Sequence, residues 1–268
     1  MIDLRTAFHF HQTPFTRELR PEDRFRLPFS DEAFEGLRRC VEARMSGALI
    51  APAGTGKTVL LRCLKAALPE ARFQVSYVKI TDLSKRDLCR EIALACDAAA
   101  AGTYNTLVRR LQERFEQTVH VDGRCPVLLL DEAQDLRLDS LAIVRLLTNF
   151  EMDSRLVLSV VLCGTLRVKA LLERVDQEAV ARRIYHYATL RLLSRDELLQ
   201  YVTHRCTLAG APTVPFDAGA LESLFEISRG NLRAADSLAL KALELAALAK
   251  IQCVGAQQIL EARKELWP

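Results

Sequence analysis

The chain has 268 residues, half of them hydrophobic and 26% charged, with a formal net charge of +3. That suits one large α/β domain with a small appendage or two modest domains, and the weak charge neither demands nor excludes a nucleic-acid partner. Asp3 and Arg5 interrupt the N-terminus before a leader-like apolar run forms, and the longest apolar stretch, Leu156 to Leu166, is too short to span a bilayer. The eight cysteines form no CxxC pair and read as buried thiols, and the five histidines show no metal spacing.

Residues 1–30, rich in Phe, Arg and Pro, read as an extended segment lying against the body. A helix is predicted over 31–45 with Ser30 as N-cap, then a short strand over Ala48–Ala51 and a helix over Lys57–Leu68 stopped by Pro69. Phe73–Ile80 reads as a strand, and helices follow over Lys85–Cys96 and Tyr104–Val119. The apolar run Pro126–Leu130 suits a central strand buried on both faces. Next come a helix over Leu138–Phe150, a strand over Val157–Cys163, helices over Leu166–Leu172 and Gln177–Arg183, and a last strand over Tyr185–Leu192. This alternation predicts an α/β protein with a mostly parallel sheet. Beyond Ser194 the pattern is all helix: Arg195–Ala209, Ala218–Ser228, Leu232–Lys250 and Gly255–Leu266. The expected divisions are therefore an N-terminal segment over 1–30, a core over 31–193 and a helical lid over 194–268.

Ala51-Pro52-Ala53-Gly54-Thr55-Gly56-Lys57-Thr58 follows a strand and opens a helix, the setting of a phosphate-binding loop. Glycines let successive N–H groups turn toward phosphate oxygens, and the new helix adds its positive end. Lys57 is expected to pair with the β- and γ-phosphates of ATP, Thr58 to hold Mg²⁺, and Pro52 through Val59 to line the nucleotide. The loop departs from the strict motif at Ala51, where glycine is usual. A second signal is Val127-Leu128-Leu129-Leu130-Asp131-Glu132, an apolar strand ending in two carboxylates. Asp131 is expected to orient Mg²⁺ and Glu132 to polarise the attacking water. Alone, such an ending is a weak signal; after a phosphate loop in the same domain it points to hydrolysis.

With these motifs the chain resembles AAA+ ATPases, especially two branches. One comprises transposon-encoded target-site regulators of the Mu phage B, TniB and TnsC types; the other comprises secretion-pathway A-type (ExeA-like) ATPases. The resemblance also rests on Pro14-Phe15, Asp131-Glu132-Ala133-Gln134, Leu147-Thr148-Asn149-Phe150-Glu151-Met152, Leu162-Cys163-Gly164-Thr165 and Gly230-Asn231-Leu232-Arg233. It implies a five-stranded parallel P-loop sheet flanked by helices and followed by a small helical lid. It implies that Thr165 is sensor 1, touching the γ-phosphate or positioning water. Arg183 is implied as the arginine finger reaching a neighbouring subunit, with Arg182 a close rival, and Arg233 as sensor 2. Adenine is expected between the N-terminal segment and the lid, near Phe15, Leu27 and Pro28.

The implied partners are duplex DNA, a transposase and further copies of the chain in a ring or helical filament, in the cytoplasm and away from membranes. Lys85 and Arg86, with Arg90 nearby, and Thr103 and Arg109, with Arg110 nearby, are candidates for contacts to the DNA backbone; the bland reading is ordinary solvated helix faces. The expected function is an ATP-dependent regulator of DNA transposition that assembles on DNA and comes apart on hydrolysis. The alternatives are a secretion-pathway ATPase, a helicase-loader-like adaptor and a nucleotide-gated module with negligible turnover. A secretion-branch protein is expected to carry a membrane segment and an extra envelope domain, and neither appears before Trp267-Pro268, which weighs toward the first reading.

Overall fold

The computed structural model describes residues 3–267. In chain order the elements are α1 (Leu4–Phe8), α2 (Pro28–Glu42), β1 (Ser46–Ile50), α3 (Lys57–Ala67), β2 (Phe73–Lys79), α4 (Lys85–Ala95), α5 (Tyr104–His120), β3 (Cys125–Asp131), α6 (Leu138–Thr148), β4 (Ser159–Gly164), α7 (Leu166–Leu172), α8 (Glu178–Ala181), β5 (Ile184–Thr189), α9 (Arg195–Leu208), α10 (Ala218–Ser228), α11 (Leu232–Leu248) and α12 (Ala256–Leu266). They form two compact units. One is Arg26–Ala53 with Lys57–Leu190; the other joins the segment up to Phe25, Gly54–Gly56 and everything from Arg191 on.

The first unit is built on an all-parallel, five-stranded sheet in the order β2-β3-β4-β1-β5. The α/β reading of the sequence and the parallel sheet agree. Each strand returns through at least one helix, as parallel neighbours require. Leu128, Leu130, Val160 and Leu162 face a core completed by α4, α5 and α6, while Val127, Leu129, Val161 and Cys163 face α2 and α3. That double burial is why β3 and β4 are continuous apolar runs. Each buried leucine side chain in them contributes about 1.5–3 kcal/mol.

Local chemistry shifts some predicted boundaries. The helix expected from residue 31 begins at Pro28, whose missing N–H costs nothing in a first turn. Ser30 is therefore inside the helix and not its N-cap; its hydroxyl accepts from the Leu27 N–H at 3.1 Å and donates to the Leu27 carbonyl at 3.0 Å. The helix expected over Gln177–Arg183 shrinks to Glu178–Ala181, after a 3-10 turn at Val175–Gln177. The last strand stops at Thr189; just past it, the Leu190 N–H still reaches the Ile50 carbonyl at 3.2 Å.

The second unit holds α9 to α12 and the N-terminal segment. Residues 3–25 group with this helical unit, and several of their aromatic side chains are buried. Phe8, Phe10 and Phe15 are buried. The His11 N–H donates to the Ala209 carbonyl at 2.7 Å, and Arg205 Nη2 donates to the Thr16 carbonyl at 2.8 Å. Arg205 also pairs with Asp236 at 3.2 Å, and the Tyr201 hydroxyl donates to Asp236 at 2.7 Å. Burial pushes the Asp236 carboxyl up to about 6, against the pull of Arg205.

Candidate active site

In an open parallel sheet, ligands meet the C-terminal ends of the strands. Here β3, β4 and β1 are neighbours in the sheet, so the turns after them bring Asp131-Glu132, Thr165 and the glycine loop to one edge. The Ala51 N–H donates to the Gly164 carbonyl at 3.0 Å, which locks the start of the loop to β4. Ala51 is buried and lies outside the left-handed region, so the backbone makes no demand for glycine there. Gly54 and Gly56 do adopt positive φ, at 78° and 92°. A side chain at Gly54 would also strike Asn231, the N-cap of α11, and the Arg233 N–H donates to the Gly54 carbonyl at 3.2 Å.

Lys57 opens α3 and is buried, its Nζ donating to the carbonyls of Ala51 at 3.2 Å and Pro52 at 3.0 Å. Thr58 follows, and its hydroxyl donates to Asp131 Oδ2 at 2.9 Å. The Tyr77 hydroxyl donates to the same oxygen at 3.1 Å. The register explains this contact: Tyr77 lies opposite Leu129, two residues before Asp131 on the same face of the sheet. Burial, then the neighbouring Asp131 carboxylate, pushes the Tyr77 hydroxyl above its ordinary range, so it stays a donor. Asp131 is 2% exposed, and its Oδ1 accepts the Glu132 N–H at 2.9 Å.

Glu132 occupies the left-handed region at φ 56°. Its Oε2 accepts from Gln134 Nε2 at 2.6 Å, and Gln134 Oε1 accepts the Thr165 N–H at 3.0 Å. The Thr165 hydroxyl is buried with no hydrogen-bond partner. Cys163 lies close by, but burial raises its thiol far above neutrality and leaves it a packing residue.

This donor set fits Mg-ATP. The Lys57 ammonium is satisfied by loop carbonyls that phosphate oxygens can replace. The Thr58 hydroxyl and Asp131 carboxylate are hard oxygen ligands of the kind magnesium takes. The orphaned Thr165 hydroxyl needs an acceptor, which a terminal phosphate supplies.

Residues 38–172, half of the chain, match the family described as "AAA domain". The chain belongs to that AAA domain family. It is also 33% identical over 201 residues to General secretion pathway protein A of Aeromonas hydrophila, a match covering 74% of this chain and 36% of that protein. The chain thus spans about a third of that relative's length. Among solved structures it resembles Cdc6p from Pyrobaculum aerophilum, with a TM-score of 0.75 at 18% identity over 94% of this chain and 70% of that one. It also resembles the Aeropyrum pernix Orc1 protein in complex with DNA, with a TM-score of 0.72 at 17% identity over 94% and 68% of the two chains. The Thermotoga maritima RuvB Holliday junction branch migration motor gives a TM-score of 0.59 at 18% identity over 88% and 67%. At these identities the structures share the fold.

The other expected site residues of this AAA domain chain fall into clear groups. Arg183, the preferred finger from sequence, is held by its own chain: it donates to the Thr148 hydroxyl at 3.0 Å and the Ala179 carbonyl at 3.0 Å, and pairs with Asp153 at 2.8 Å. Its side chain is 18% exposed, whereas that of Arg182 is 78% exposed and pairs with Glu178, four residues back, at 2.6 Å. Arg233 is exposed in the first turn of α11. Phe15, expected near adenine, packs inside the helical unit. It is 3% exposed, edge-on to Phe216, with the Arg205 guanidinium over it. Leu27 is buried at the start of α2, and Pro28 beside it is exposed.

Lys85, Arg86 and Thr103 come together at the adjoining starts of α4 and α5. Arg86 Nε donates to the Gly102 carbonyl at 3.1 Å, and Thr103 caps α5. Lys85 stands 3.7 Å from Asp139. Arg109 lies further along α5, paired with Glu113 at 3.5 Å. Tyr77 was missed by sequence reasoning; the signal that finds it is its place on the strand beside β3, one diagonal step from Asp131.

Proposed function

We propose that this AAA domain chain binds Mg-ATP and hydrolyses it, that ATP binding drives assembly of several copies on duplex DNA in the cytoplasm, and that the assembly recruits or activates a transposase. The observation that carries the reading is the joining of Lys57, Thr58, Asp131, Glu132 and Thr165 at neighbouring strand ends. Lys57 neutralises the β- and γ-phosphates, and Thr58 with Asp131 holds the metal. Glu132 accepts the proton of the attacking water, and Thr165 donates to the γ-phosphate. Arg182, exposed and paired with Glu178 four residues back, supplies charge to a neighbour's site more readily than the anchored Arg183. Arg233, in the first turn of α11, is the proposed sensor 2, supported by the sequence resemblance. The cluster of Lys85, Arg86 and Thr103 supports backbone contacts to DNA, with Arg109 extending it. The sequence resemblance to transposition regulators supports the transposase. A second reading, a secretion-pathway ATPase, is favoured by the similarity to General secretion pathway protein A.

The test is ATP hydrolysis by the purified chain with and without duplex DNA, at low and then higher salt. Stimulation that fades with salt is expected. Lys57→Ala should abolish ATP binding, and Glu132→Gln should bind ATP, fail to hydrolyse it and form over-stable assemblies. A rate indifferent to DNA would shift the weight to the secretion reading. Native turnover by Glu132→Gln would remove the catalytic assignment.

A further inference from the structure

Gln134 bridges two parts of the site that otherwise stand apart, the carboxylate after β3 and the turn after β4. Its amide is bonded at both ends, Nε2 to Glu132 Oε2 at 2.6 Å and Oε1 to the Thr165 N–H at 3.0 Å. The partners force this orientation. A backbone N–H only donates and an ionised carboxylate only accepts, so the two ends of the amide are not interchangeable. The approach is close as well: a Cβ on Gly164 would lie 2.5 Å from Gln134 Oε1, so glycine is what admits the amide. Glu132 meanwhile keeps a left-handed backbone that side-chain-bearing residues rarely adopt, and such conformations persist where surrounding contacts hold them. On the turn that Gln134 grips, the Thr165 hydroxyl is buried and unpartnered.

We propose that Gln134 is a positioning residue for hydrolysis, aiming the Glu132 carboxylate and coupling it to the turn whose Thr165 hydroxyl meets the γ-phosphate. This rests on the ATPase reading above. In that reaction, water adds to the γ-phosphorus as the bond to the ADP oxygen breaks, giving ADP and inorganic phosphate, and a water proton passes to Glu132. The Gln134 amide donates to Glu132 Oε2, which fixes the direction of the carboxylate that takes the proton. A phosphate oxygen accepting from Thr165 steadies the turn to which Gln134 is bonded, so the base is aimed when the substrate is in place.

The experiment compares wild type, Gln134→Ala, Gln134→Glu and Glu132→Gln as full chains, measuring ATP affinity and kcat separately with duplex DNA present. Gln134→Ala should keep ATP affinity within about threefold while kcat falls about tenfold or more. Gln134→Glu preserves size but carries no N–H, so it should lose at least as much near neutral pH; it also stands in should the alanine variant fold poorly. Wild-type kcat in either folded variant would overturn the proposal. So would a fall in kcat explained wholly by lost ATP affinity. A wild type that never hydrolyses ATP, or a Glu132→Gln variant as fast as wild type, sinks the ATPase reading itself. An active wild type and a silent Glu132→Gln beside normal Gln134 variants sink only the role of Gln134.

Discussion

Arg182 and Arg183 are sequence neighbours with opposite surroundings. Arg183 closes a set of bonds to Thr148, Ala179 and Asp153, while Arg182 stands exposed beside Glu178. Removing Arg183 leaves partly buried acceptors unpaired, so Arg183→Ala should destabilise the sheet unit by about 1–3 kcal/mol, read from urea unfolding. Arg182→Ala should change stability by less than about 0.5 kcal/mol yet slow turnover of the assembled protein at least about tenfold. A stable Arg183→Ala variant with slow turnover, beside an Arg182→Ala variant of normal turnover, would restore the order expected from sequence. Spacing alone cannot rank two adjacent arginines, because their difference lies in partners from remote segments. The placement of Lys57, Thr58, Asp131 and Glu132 at strand ends was legible because the ends of β1 and β3 are visible in the pattern. Tyr77 was not, because its role depends on cross-strand register.

At the scale of elements, α9 illustrates a helix start written in local sequence. Ser194 accepts the Glu197 N–H at 3.3 Å, and Glu197 accepts the Ser194 N–H at 2.8 Å, a reciprocal cap. The Arg191 guanidinium, at 2.7 Å, is the main cause that lowers the Glu197 carboxyl from 4.5 to about 2. A carboxylate lowered in the folded state stabilises above its unfolded value and loses that contribution as pH falls toward its folded value. Glu197→Ala should therefore cost about 1 kcal/mol at neutral pH, with the difference shrinking as pH falls from about 4.5 toward 2. Unfolding free energies of wild type and variant over that range check it; a gap that stays constant would mean that the Glu197 charge is not what stabilises the helix start. Helices with strong apolar periodicity, such as α5 and α11, were legible nearly to their ends. The short α8 was over-extended, because its limits come from the 3-10 turn before it and the tethered Arg183 after it.

At the scale of the molecule, the metal role proposed for Thr58 and Asp131 has a thermodynamic consequence. A ligand that binds only the folded chain adds about 2.7 kcal/mol at a hundred times its Kd. Mg-ATP should raise the melting temperature, ATP with EDTA should raise it less, and Asp131→Asn should erase that difference. Equal shifts with and without Mg²⁺ would remove the metal role from this pair. By itself the sequence determined the α/β alternation, the parallel sheet and the all-helical C-terminal part, since these depend on periodicity and short-range motifs. Only the tertiary structure decided that Phe15 belongs to the helical core, that the first Phe-rich residues join the C-terminal helices, that Arg183 is anchored, and that Gln134 links Glu132 to Thr165. Those outcomes depend on which distant side chains meet once the strands take their order, and no local pattern carries that information.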